Sequence, residues 1–403
     1  MKSMLDSIKY ISDNFGPRIA GSEADHKAIE YIEQQFRSFS SDVELESFPV
    51  VGRSLQYLIQ FLVWGYFIST VFYFILPPLA IFISILMLLI YYLARFRDKN
   101  LVNMLVKKSQ SKNVIAKFSP TDKKKKLLIF SGHHDSAFHM PLFEKNVAKV
   151  DLIQNGAILG IVFLLVSGIW KSIAFFLPSA GIVELFSYNV GVISISWWIL
   201  PDILFIPALF GLILAFYFLS NMVTKTPLIG ANDNLTSVSM LIAIGNYLKE
   251  NPPKNLEVRL ISFGGEEPGL VGSTHYVNKR LNELNDVINI NYEVLGRGTL
   301  GIISKERDNN VIHDEELVVF IQEVGKKLEM ELRAIQIHYG NTDAGSFSKR
   351  GFKGATIACY GKNNVFDLWH STEDTDENVD EKLLQEAYKL TIAIIKEMET
   401  GAF

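Results

Sequence analysis

The run Leu127–Ser136, LLIFSGHHDS, changes character halfway along. Its first four residues are apolar and form a stretch short enough for a buried strand. Then come Ser131 and Gly132, with His133, His134 and Asp135 directly after them. In an open α/β sheet, functional groups collect where strands end. A hydrated loop after a strand would carry the same residues, so the ends of the other strands decide between the two.

Those strands can be read from short, partly β-branched runs: NVIAKF (113–118), KKLLIFSG (125–132), LEVRLISFGG (256–265), DVININYEVLG (286–296) and GATIACYG (354–361). DVELESFPV (42–50) alternates as a strand does. Helical spacing predicts helices over Leu235–Glu250, Leu270–Leu284, Glu315–Lys327 and Asp380–Thr400. Asn251-Pro252-Pro253 stops the first of these. A helix nearer the start of the chain carries Ile29, Ile32 and Phe36 on one face. Strands alternating with helices imply an α/β fold with a mainly parallel sheet flanked by helices.

Four of these strand ends carry candidate ligands, His133 among them. Glu266 and Glu267 come after the 256–265 run, Glu293 closes VININY, and His370 lies in DLWHSTEDTDE after the 354–361 run. Asp233 sits in GANDNLTS, where a helix opens. Singly, each has a bland reading: a solvated histidine, a helix start, or a turn or N-cap aspartate. Their convergence on the ends of one sheet favours a metal site. In His133-x-Asp135 the two side chains face the same way, so Asp135 can accept a ring proton of His133 and set its tautomer. His134 then faces away. Adjacent Glu266 and Glu267 diverge, so one can bind metal while the other acts as a base. Asp233 has two oxygens and can bridge a pair of metals about 3.5–4 Å apart. Histidine and carboxylates without cysteine suit Zn2+, with cobalt or manganese as substitutes.

Composition adds a membrane. Ser54–Ala94 holds no Asp, Glu, Lys or Arg, and Leu152–Met222 only Lys171, Glu184 and Asp202. A span needs about 20 apolar residues. The first block reads as a hairpin, Leu55–Leu76 out and Leu79–Leu93 back, broken at Pro77-Pro78. The second offers Leu152–Trp170 and Ile203–Met222. We expect an integral membrane, multi-pass protein with four spans. Two inserted transmembrane hairpins, 54–94 and 151–222, would divide the α/β domain into 1–53, 95–150 and 223–403. Arg53, Arg95, Arg97, Lys99, Lys107, Lys108 and Lys225 flank the spans on the domain's side, and Lys171 is the cation expected opposite, which places the domain in the cytoplasm. No apolar core comes after a basic start, so no cleaved signal peptide is expected. The net charge of −4 gives no basic surface for nucleic acid. Cys359 is the single cysteine, so an internal disulfide is excluded.

The set GPRIAGSEADHKAIEYI, SGHHDS, GANDN, FGGEEPGLVGS, NYEVLG, NTDAGSFSKRGF and WHSTEDT resembles the co-catalytic zinc aminopeptidase family, in the family's order. The resemblance implies metal ligands at His133, Asp233, Glu267, Glu293 and His370, with two zinc ions per chain and Asp233 as the bridge. It implies Glu266 as general base and Asp135 as partner of His133. Three places depart from the family: Glu293 stands for an aspartate, DNLTS lacks a glycine, and Thr342-Asp343-Ala344 replaces Ser-Asp-His. The expected activity is removal of N-terminal residues from peptides. A zinc carboxypeptidase, a glutaminyl-cyclising enzyme and a non-enzymatic membrane scaffold are the alternatives. Val223 lies about 36 Å of fully extended chain from Asp233, at about 3.3–3.6 Å per residue. That ties the metal site to the bilayer and points to apolar, membrane-derived peptides as substrates.

Overall fold

The structure is a computed structural model that describes residues 3–97, 99–123, 126–177, 184–190, 193–284 and 286–403. The chain opens with α1 (Met4–Phe15), α2 (Glu23–Phe39) and β1 (Asp42–Val50). After the apolar pair α3 (Ser54–Ile75) and α4 (Pro77–Arg97) come β2 (Ser109–Phe118) and β3 (Lys126–His133). The second apolar block forms α5 (Pro141–Asn146), α6 (Val150–Phe176), β4 (Glu184–Val190), β5 (Ile193–Trp198) and α7 (Ile199–Met222). Next come α8 (Thr236–Glu250), β6 (Leu256–Phe263), α9 (Val271–Lys279), β7 (Val287–Glu293), β8 (Thr299–Glu306) and β9 (Val311–Ile312). The chain continues through α10 (Glu315–Lys327), β10 (Arg333–Ile337), α11 (Asp343–Ser348), β11 (Lys353–Tyr360) and α12 (Glu381–Thr400). Two compact units result: Met1–Gly52, Lys107–His139 and Lys225–Phe403 form one, Arg53–Val106 and Met140–Thr224 the other.

The first unit is built on a sheet ordered β1-β2-β6-β3-β7-β11-β8-β10, with β9 beside β8. The centre of the sheet is parallel, as expected, and antiparallel flanks make the whole sheet mixed. The central strands β6, β3, β7 and β11 run parallel, whereas β1 with β2, β2 with β6, and β8 with β11 pair antiparallel. Pairing direction depends on how the chain returns, and a strand's own residues do not encode that. Along β3 the side chains alternate between two cores. Leu128 and Phe130 face a layer with α1, α2, α8, α10 and α12; Leu127 and Ile129 face α9 and α11. The strand is apolar on both faces because both are covered. β8 and β10 are absent from the strands read in the sequence. β10 is five residues long with Arg333 and Gln336, an edge strand too polar to signal itself.

The second unit inverts the usual polarity. Trp64, Phe82, Phe210 and Ile213 are more than half exposed, while Gln56, Ser69, Ser84 and Lys171 are buried. Four of its helices, the α3, α4 and α7 segments and Val147–Ala174, are long and apolar enough to cross a membrane. Several of its interior polar side chains have partners within the unit. Ser69 Oγ donates to the Ala80 carbonyl at 2.8 Å and meets Ser84 Oγ at 2.9 Å. Lys171 lies within α6, not in a loop beyond it, and its Nζ meets Asp202 Oδ1 at 2.9 Å. Asp202 also accepts from Tyr73 Oη and from the Trp198 amide. Pro77 and Pro78 open α4, where a missing N–H costs nothing.

Close helix approach depends on glycine. A Cβ on Gly160 would stand 2.6 Å from the Gly211 Cα, and Gly156 faces Leu214. Gly156 and Gly160 form the small-x-x-x-small spacing that lets membrane helices touch backbone to backbone. At Gly168 the nearest atom to a Cβ would be in the Ile81 side chain, at 3.3 Å. We therefore expect Gly160→Ala to destabilise this bundle by about 1–3 kcal/mol and Gly168→Ala by clearly less. Thermal unfolding of both variants in one detergent checks this; equal losses would show that the Gly160 contact is not close.

Candidate metal centre

Because β6, β3, β7 and β11 are parallel, their carboxyl ends share one edge of the sheet. His133 is the last residue of β3 and Glu293 the last of β7. β6 ends at Phe263, and Gly264-Gly265 turns the chain into Glu266 and Glu267. Both glycines are required. Gly265 has φ +65°, and a Cβ on Gly264 would meet Ser111 Oγ at 2.6 Å and His134 Nε2 at 3.0 Å. His370 comes from the loop after β11, and Asp233 from the turn that opens α8.

The structure brings these six side chains together. His133 Nε2 lies 3.0 Å from Glu293 Oε1, 3.2 Å from Asp233 Oδ1 and 3.9 Å from Glu266 Oε2. His370 Nε2 lies 3.2 Å from Glu267 Oε2 and 3.5 Å from Asp233 Oδ2. Asp233 thus turns one oxygen to each imidazole. His133, Asp233 and Glu293 present ligand atoms within 4.8 Å of one another, and so do Asp233, Glu267 and His370.

The residues around this cluster explain its order. Asp135 is fully buried, and its two oxygens accept the backbone N–H groups of Glu266 (3.1 Å) and Glu267 (3.2 Å). His133 Nδ1 lies 3.1 Å from the Asp135 backbone carbonyl and 3.6 Å from its Oδ1, so both these oxygens of Asp135 face that ring nitrogen. A proton on Nδ1 leaves Nε2 for a ligand role. His134 does face away: Nδ1 meets Ser262 Oγ at 2.9 Å, and Nε2 lies 3.4 Å from Asp25 Oδ1. Asp374 was missed in the sequence. It is buried, and its carboxylate accepts the amides of Asn232 (2.6 Å) and Asp233 (3.1 Å), which holds the turn of Asp233. An acidic residue four places after His370 was the available signal, but it could not be told from its acidic neighbours. Asn234 is a second missed residue; its Nδ2 donates to Glu293 Oε1 at 3.0 Å.

Electrostatics point to a missing positive charge. Burial raises Glu266, Glu267 and Glu293, and neighbouring carboxylates raise them further; Glu293 is pushed up to about 8. Burial opposes the charged form of both rings, yet the carboxylates outweigh it, Glu293 first at His133 and Glu267 first at His370. Asp233 is held below its ordinary value despite burial, because both imidazoles act on it. Glu267 Oε1 is buried without a hydrogen bond. Divalent cations would satisfy all of these groups at once, and a set of two imidazoles and three carboxylates around a shared aspartate is chemically suited to zinc.

A family model described as Peptidase family M28 matches residues 219–395. That stretch contains Asp233, Glu266, Glu267, Glu293 and His370; His133 and Asp135 lie before it and join the site only through the fold. Aminopeptidase YwaD of Bacillus subtilis is 27% identical over 173 residues, which is 42% of this chain and 37% of that protein. The match therefore spans little more than a third of its length. A probable leucine aminopeptidase of Arthroderma benhamiae is 28% identical over 140 residues, 34% of this chain and 37% of that one. Among solved structures, a zinc aminopeptidase from Bacillus subtilis superposes with TM-score 0.56 at 16% identity, covering 98% of this chain and 94% of that chain. An Acidobacteriales bacterium glutaminyl cyclase superposes with TM-score 0.55 at 13% identity, covering 99% and 94%. The chain shares their fold.

One departure from the family pattern has a structural counterpart. Ser237 replaces the expected glycine of DNLTS, and its Cβ and Oγ lie 2.3 and 2.4 Å from where a Cβ on Gly132 would be. Gly132 immediately precedes His133, and the approach of Ser237 leaves no room for a Cβ there. Gly132→Ala should cost about 1–3 kcal/mol through overpacking and displace His133. Adding Ser237→Gly should recover much of that loss. A double-mutant cycle on thermal stability tests the contact, and strictly additive effects would refute it.

Proposed function

We propose that this protein is a membrane-integral zinc-dependent exopeptidase, an aminopeptidase that hydrolyses N-terminal residues of apolar peptides. The observation that carries the reading is the two-sided cluster around Asp233: one oxygen toward His133 with Glu293, the other toward His370 with Glu267. In this reading those five residues would hold two zinc ions, with Asp233 shared, and zinc bound there would supply Lewis acidity toward a carbonyl and toward water. Glu266 Oε2 lies 3.9 Å from His133 Nε2, and Glu266 forms a third group of ligand atoms with His133 and Glu267; in this reading it is the carboxylate left free as the base. It takes the proton of the attacking water and returns it to the leaving amine. Asp135 fixes the backbone of the Glu266-Glu267 turn, so base and ligand keep their divergence.

A second reading rests on the glutaminyl cyclases among the similar structures. Those share the fold at 12–13% identity, whereas the curated sequence relatives are aminopeptidases, and this favours hydrolysis. We expect the purified protein to release the amino acid from apolar aminoacyl amides with higher kcat/KM than from charged ones, and to form no pyroglutamate from glutaminyl peptides. Glu266→Gln should lower the rate by about 10²–10⁴ while zinc stays bound. A variant that lost its zinc, or kept near-normal turnover, would overturn the assignment.

For the membrane, we propose four spans in two hairpins with the peptidase unit in the cytoplasm. The basic residues Arg53, Arg95, Arg97, Lys99, Lys107, Lys108 and Lys225 support this, since they border the spans on that unit's side of the chain. Lys171 is neutralised by Asp202 inside the bundle and no longer counts for the opposite side. Cys359 is buried, so a single introduced thiol can be read out. Tyr188→Cys, in the exposed part of β4, should react with an impermeant maleimide only from outside the cell; labelling from the cytoplasm alone would reverse the topology.

A further inference from the structure

Arg18 is the largest fully buried side chain of the first unit and lies outside the stretch matched to the family. It comes from the segment between α1 and α2, which contributes no candidate ligand. Among the described residues its guanidinium donates to main-chain carbonyls alone. Nε reaches the His134 carbonyl at 2.7 Å, Nη1 the Ile229 and Gly16 carbonyls at 2.7 and 3.0 Å, and Nη2 the Gly230 carbonyl at 3.1 Å. The Arg18 amide donates to Ser136 Oγ at 2.9 Å, and the Ser136 amide donates back to the Arg18 carbonyl at 3.1 Å. One side chain therefore grips both turns that meet at the cluster: 133–136, which carries His133 and Asp135, and 229–233, which carries Asp233. The second turn is held from both sides, its carbonyls by Arg18 and its amides by Asp374.

We propose that Arg18 is a positioning residue for the metal centre, setting the separation of His133 from Asp233 by tying their two turns to one rigid fork. This rests on the zinc reading above. The chemistry asks for arginine. A guanidinium presents several N–H groups in a fixed plane and can span two turns, whereas an ammonium on a flexible stem is a point donor. Its charge also stands near Asp135, Asp374, Asp25 and Asp233, where buried carboxylates need a cation beside them. Lysine in its place would keep charge and lose the span.

The test uses the full-length protein in detergent, stripped of metal and titrated with zinc against a chromophoric chelator, with cobalt absorption as a second signal. Arg18→Lys should fold, with a cooperative melt of the metal-free protein. It should bind zinc about 10–100-fold more weakly, as loss of a group supporting metal ligands does, and show an altered cobalt spectrum. Its kcat should fall with KM little changed. Wild-type zinc affinity and cobalt spectrum in a variant that has lost only thermal stability would overturn the proposal and leave Arg18 a packing residue. Should Arg18→Lys not fold, Arg18→Gln, which keeps a planar donor of shorter reach, takes its place; failure of both to fold also overturns the positioning role. A wild-type protein that binds no zinc would bring down the zinc reading itself, and this inference with it. Zinc binding by the wild type with no change in Arg18→Lys removes this inference alone.

Discussion

The carboxylates of Asp233, Glu266, Glu267 and Glu293 share one largely buried space with the imidazoles of His133 and His370. Like charges in a poorly solvated site repel strongly, and positive charge has to be supplied there, by protonated rings or by divalent cations. Much of the first unit answers that requirement. Parallel strands deliver His133, Glu293 and the glutamate turn to one edge. Backbone amides then take up the charge of Asp135 and Asp374, so those two carboxylates hold turns in place without competing as ligands.

The second unit is arranged the other way round. Large apolar side chains face outward, and hydroxyls, an amide and an ion pair face inward. Its four long helices are apolar enough to cross a membrane, and glycines carry their close contacts. The buried Lys171–Asp202 pair is surrounded by Tyr73, Phe74 and Trp197, whose ring faces also attract a cation. Its place inside α6 shows why a charge count along the chain misjudged this lysine: a cation with a buried partner gives little information about which side of a membrane it borders.

The support beneath the site is more extended than the ligands. Asp25, near the start of α2, accepts from the Gly21 amide and from Ser111 Oγ and faces His134. The N-terminal segment is thereby joined to β2 and to the turn after β3. This explains why a segment without ligands belongs to the same compact unit as residues more than two hundred positions later.

By itself, the sequence determined what short-range patterns can carry. The period of apolar residues marked β1 with its residue range, α10 with its residue range, and the four long apolar helices with Pro77-Pro78 between the first two. The types and strand-end positions of His133, Asp233, Glu266, Glu267, Glu293 and His370 were legible for the same reason. Only the tertiary structure decided the rest: the antiparallel flanks of the sheet, the edge strand β10, the backbone carbonyl that joins the Asp135 carboxylate at His133, and the hydrogen bonds of Asp374 and Arg18. These depend on pairings between residues far apart in the chain, and such pairings leave no period or local spacing in the sequence, because what specifies them is the three-dimensional path that brings a donor to within about 3 Å of its acceptor.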